Sequence, residues 1–104
     1  MYEPVLIELI YRAGGGSHHE VRARPVPGQR FPPDCFVECS SVMREAHPVG
    51  TLIIVAAKLK APKSVGNAPH LYADWRKKYH VLPPKQRDAF LANPSAFAHL
   101  VLES

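Results

Sequence analysis

Lys58, Lys60 and Lys63, followed by His70, Tyr72, Arg76, Lys77, Lys78 and His80, place six fixed positive charges and an aromatic ring in a short span that only Asp74 interrupts. Cations at this density can neutralise phosphates and displace their condensed counterions. A flat ring among them offers a surface on which an unpaired base can stack. Read as a strand, His70 to Leu82 sets Tyr72, Arg76 and Lys78 on one face. Lys58, Lys60, Arg76, Lys77 and Lys78 are then the phosphate contacts and Tyr72 the stacking ring. The plainer alternative buries Trp75 and Tyr79 in a core and leaves the charges as a solvated face. Arg22, Arg24 and Arg30 could extend the basic set, depending on which side of the domain they occupy.

Other chemistries are less well served. Six histidines and two cysteines are enough ligands for a metal, but zinc sites ordinarily pair two closely spaced ligand couples. Cys35 and Cys39 form one couple at most, and His18 and His19 are adjacent, so on a strand they point to opposite faces. A nucleophilic pair would need Cys35 or Cys39 beside His47, His19 or His80, and nothing in the spacing aligns them. Gly14-Gly15-Gly16 lacks the lysine and hydroxyl of a phosphate loop and opens no helix. No catalytic residue, metal or cofactor is assigned, and the expectation is a non-enzymatic binding module.

A chain of 104 residues with 46% hydrophobic content suits one domain with its own core. Lysine and arginine exceed the acidic residues, 13 against 9, which permits an anionic partner without requiring one. If Cys35 to Val42 is extended, the two cysteines stand about 13 Å apart, against the roughly 4.4–6.8 Å that a disulfide needs. Reduced thiols point to the cytoplasm. The first apolar run carries Glu8 and follows no basic leader, which argues against a signal peptide. No run approaches the ~20 residues needed to span a bilayer, so no membrane association is expected.

The elements that would position the basic span centre on His47-Pro48-Val49-Gly50 and the apolar run after it, Thr51 to about Lys60. A β-branched run just after proline and glycine reads as a central strand covered on both faces. Pro4 to Arg12 reads as a first strand with Val5, Ile7 and Leu9 on one face and Leu6, Glu8 and Ile10 on the other. Its apolar excess fits either a covered position or a homodimer seam. After the glycine turn, His18 to Val26 alternates as a second strand, with Pro25 marking an edge. Cys35 to Val42 is a third, directing Cys35, Val37 and Cys39 inward. Ser41 to Ala46 can form a helical turn capped by Ser41.

His70 to Leu82 fits a strand slightly better than a helix, with Lys77 out of phase. Pro84 to Ala92 reads as a helix. A second short helix, capped by Asn93 with Pro94 in its first turn, would align Phe97, Leu100 and Val101, with a last strand at Leu100-Val101-Leu102 as the alternative. These elements make one α+β domain over 1–104: a small, mostly antiparallel sheet or partly open barrel of 4–5 strands with a C-terminal helical segment. Three strands, a helical turn and two strands is the order of an OB-type barrel. The expected partners are nucleic acid, with a protein partner or a homodimer through the first strand as the alternative.

Overall fold

The computed structural model describes residues 1–13, 19–32, 35, 37–60, 70–74 and 76–102. Six strands form one mixed sheet: β1 (Glu3–Ala13), β2 (His19–Pro25), β3 (Val37–Glu38), β4 (Leu52–Lys60), β5 (His70–Ala73) and β6 (Tyr79–Leu82). Helix α1 (Ser41–Ala46) lies between β3 and β4. Two short helices, α2 (Arg87–Ala92) and α3 (His99–Leu102), follow the sheet, each preceded by a 3₁₀ turn.

β1 is long because it serves two partners. Its first half pairs with β4, setting Leu6 opposite Ile54, and its second half with β2, setting Ile10 opposite Arg22. The order β2-β1-β4-β5-β3 brings the two end strands side by side, so the sheet curls into a nearly closed barrel. β3 and β5 make the one parallel pairing among the described strands. Five strands in this Greek-key order, with a helix between the third and fourth, form a partly open barrel of OB type. β6 is a sixth strand added beside β5 on the same edge of β4.

Alternation along β4 explains why its whole sequence is apolar. Ile53, Val55 and Ala57 point into the barrel with Val5, Ile7, Leu9 and Leu71. Leu52, Ile54 and Ala56 point outward, beneath Phe90 and Val101 of the C-terminal helices. Both faces are therefore covered. Burying one such side chain contributes roughly 1.5–3 kcal/mol. β1 is buried in the same way: Val5, Leu6, Ile7 and Leu9 are fully inaccessible. That burial accounts for its apolar excess and takes away the reason to read β1 as a homodimer seam.

Two local devices hold the barrel's ends. Thr51 donates its backbone N–H to the Pro48 carbonyl across a turn with Gly50 at φ 95°, the left-handed position a type II turn gives to glycine. Where β2 stops at Pro25, the Gln29 side chain takes over as a pairing partner of β1. It accepts from Leu6 N–H at 2.9 Å and donates to Leu6 O at 2.7 Å and Val26 O at 3.0 Å. Met43 of α1 closes the barrel interior, and Arg44 donates to the Val21 carbonyl of β2 at 3.1 Å.

Several expectations need correction. The cap of α1 is Ser40, whose Oγ accepts from Met43 N–H; a cap precedes the first helical residue and reaches two or three positions on. Asn93 makes no side-chain cap; it ends α2, donating its backbone N–H to Ala89 and Phe90. Leu100 to Leu102 is helical, as α3. Glycines 14–16 and most of the loop from Lys58 to Pro69 lie outside the described residues, as do Lys63 and Trp75.

His70 to Leu82 is neither one strand nor a helix. Five residues, 74–78, stand opposite the single residue Ala56, so the strand breaks and resumes. Tyr79, a core residue in the plainer reading, is 42% exposed, as is Val81, while Leu82 is buried. The out-of-phase Lys77 was the trace of this interruption in the sequence.

Candidate nucleic-acid interface

The outer row of β4 reads Leu52, Ile54, Ala56, Lys58, Lys60. It is apolar beneath the C-terminal helices and turns cationic beyond them. Lys58 stands opposite Tyr72 and Lys60 opposite His70 on β5, and residues opposite one another in an antiparallel pair share a face. Lys58, Lys60 and Tyr72 are thus brought together by strand register. Tyr2, just before β1, joins them from the other edge of β4. Its ring packs against the outer apolar cluster.

The ammonium groups sit over the rings. Lys60 Nζ lies 4.4 Å from the Tyr72 ring centre. Lys58 Nζ and Lys77 Nζ lie 5.2 and 4.9 Å from the Tyr2 ring centre. Such contacts at exposed sites contribute about 0.5–1 kcal/mol, and base stacking on an aromatic side chain about 1–3 kcal/mol. A ligand offering a base to the ring and a phosphate to the ammonium therefore exchanges a weak contact for two stronger ones. Burial, then the charge of Asp74, raises the Tyr2 hydroxyl above its ordinary range, so the ring stays neutral at physiological pH.

Arg76 has a different role from its neighbours. Its backbone N–H and Nε donate to Asp74 Oδ1 at 3.0 and 3.1 Å, and Nη2 to Oδ2 at 3.0 Å. Lys77 N–H donates to the Asp74 carbonyl, so Asp74 and Arg76 together hold the 74–78 turn. These hydrogen bonds from Arg76 draw the Asp74 carboxyl down to about 2. The Arg76 guanidinium remains 68% exposed, but its charge is locally compensated.

Lys77 bends back from the turn to Tyr2, and both Lys77 and Lys78 line a cleft of about 310 Å³ between the turn and α1. Of the residues expected to act together, then, Lys58, Lys60, Tyr72 and Lys77 form one cluster, Arg76 clamps the turn, and Lys78 stands apart from the rings. Arg24 pairs with Glu8 at 3.0 Å, and Arg30 pairs with Glu3 and stacks on Phe31. Tyr2 was missed in the sequence because its neighbours there are Met1 and Glu3; only the β1–β4 register makes it a neighbour of Lys58. Cys35 and Cys39 are not joined in a disulfide. Among the described residues, no three metal-ligating side chains gather, and no helix is long and apolar enough to cross a membrane. The chain matches no family model, no curated protein and no solved structure.

Proposed function

We propose that this domain is a non-enzymatic module that binds single-stranded nucleic acid, with Lys58, Lys60 and Lys77 contacting phosphates and Tyr2 and Tyr72 stacking on bases. The observation that carries this reading is the convergence of three ammonium groups on two tyrosine rings over the outer face of β4 and β5. Backbone-directed cations interleaved with flat rings are what sequence-tolerant single-strand binding requires. A partly open barrel of OB type is a frequent scaffold for such ligands. Unbridged cysteines suit a reducing compartment such as the cytoplasm.

The test is fluorescence anisotropy of a labelled 12-nucleotide oligothymidine at 50 mM salt, with the same sequence as a duplex for comparison. The proposal expects saturable binding to the single strand, weaker binding to the duplex, and amide shifts at Lys58, Lys60, Tyr72 and Lys77. Absence of binding by folded protein at that salt refutes it.

A further inference from the structure

Beside the 74–78 turn, the cleft of about 310 Å³ has an apolar floor containing Val55 and Met43. Val42, on its α1 wall, is 75% exposed, and Tyr79, on its β6 wall, 42%. Tyr79 is held in place by His47, whose Nε2 lies 3.1 Å from the Tyr79 hydroxyl and whose ring meets it edge-on at 5.6 Å. Val81, two residues on and on the same face of β6, is equally exposed. β6 pairs with β4 along one edge, and among the described residues no strand pairs with its other edge.

An unpaired strand edge beside an apolar cleft is the arrangement used when an extended peptide adds to a sheet. Main-chain hydrogen bonds fix its position, and alternate side chains enter the cleft. The charges at the rim decide which peptide. Asp74 is compensated by Arg76, and the other charged residues lining the cleft are Lys77 and Lys78. A second copy of the chain would bring the same cations face to face, which like-charge repulsion opposes. An acidic segment complements them. The turn before Tyr79 and Pro83 after Leu82 limit the added strand to about four residues, since proline cannot continue the ladder.

The geometry points to β6 and its cleft as a docking site for an extended peptide with alternating apolar residues flanked by acidic ones. The peptide adds along Tyr79–Leu82, places one apolar side chain against Val42 and Met43, and sets a carboxylate beside Lys78. This site shares Lys77 with the ring cluster of Tyr2 and Tyr72 but rests on Tyr79–Leu82, Val42, Met43 and Lys78, and it stands whether or not that cluster binds nucleic acid.

Amide-shift titration with the capped heptapeptide Asp-Glu-Val-Leu-Val-Glu-Asp tests it, with Lys-Lys-Val-Leu-Val-Lys-Lys as the sign-reversed control. The acidic peptide is expected to shift Tyr79–Leu82, Val42 and Met43 and to slow amide exchange along β6, and the basic peptide to do neither. Lys78→Glu and Val42→Asp, both at exposed positions, should each weaken binding on the order of tenfold while the amide spectrum stays dispersed. Three results overturn the inference: equal binding of both peptides, shifts confined to other surfaces, or unchanged affinity in both folded variants. Concentration-dependent self-association that protects β6 assigns the edge to a second copy instead, and an oligonucleotide that shifts these same residues assigns it to nucleic acid. Either outcome also overturns it.

Discussion

Replacing Lys58 and Lys60 together by glutamine removes two of the three ammonium groups gathered over Tyr2 and Tyr72. It keeps the first half of each aliphatic stem, which matters because both side chains are half-buried. Each phosphate contact to a single strand contributes about −0.7 to the slope of log affinity against log salt. Three contacts give a slope near −2, so raising salt from 50 to 200 mM should weaken binding by the intact protein roughly twentyfold. The double variant retains one contact, and the same change in salt should weaken it only about threefold. Anisotropy titrations of the oligothymidine at four or five salt concentrations measure both slopes. Tyr72→Leu is the matching control, because it removes a stacking ring and no charge. It should lower affinity by about 1–3 kcal/mol at every salt concentration and leave the slope unchanged. If the double variant keeps the slope of the intact protein while remaining folded, the cations at Lys58 and Lys60 do not meet phosphate and the proposed interface is wrong.

Gln29→Ala takes from the inaccessible Leu6 amide its side-chain partner and leaves the Leu6 carbonyl with Val26 N–H, so urea unfolding should show a loss of about 1–3 kcal/mol; a loss below a few tenths would mean that water replaces the side chain. Gly50→Ala forces a Cβ into φ 95° with no steric neighbour within 4 Å, and a cost of about 1–3 kcal/mol from backbone strain alone should appear as a lower urea midpoint with an unchanged slope. Because its folded-state pKa of about 2 lies below the ordinary carboxylate range, Asp74 stabilises the 74–78 turn fully above pH ~4 and loses that contribution as pH falls toward 2; carboxyl-carbon NMR should show Asp74 titrating last among the carboxylates, and the Arg76→Ala variant should return it toward the usual range.

Much of the barrel was legible because burial on two faces leaves a mark in one dimension. The unbroken apolar run after Gly50 reads as an interior ribbon of a covered sheet and the doubly apolar first strand as either covered or a homodimer seam; both strands are buried within the barrel. Alternation in the second strand separates Val21 and Ala23 from Arg24, and in the barrel the first two pack against the core while Arg24 meets Glu8 outside. The failure along His70 to Leu82 has another origin. The bulge that the Asp74–Arg76 bonds hold in place keeps the alternation in phase, with Ala73 opposite Ala57 and Tyr79 opposite Val55. Among the described residues, however, β6 has no further strand beside it, so Tyr79 and Val81 stay exposed on the face the pattern marks as apolar.

Residue types and local spacing were enough to establish a β-rich, basic domain with its central strand, its closing helical turns, and a span able to attract anions. Which cations meet was a matter of register, because side chains far apart in the chain become neighbours only when strands pair. β1 alongside β4 carries Tyr2 to Lys58, β5 alongside β4 carries Tyr72 to the same face, and the turn returns Lys77 to them while leaving Lys78 at the cleft beside α1. Those distances arise from pairing between strands of distant sequence, and they exist only in the folded barrel.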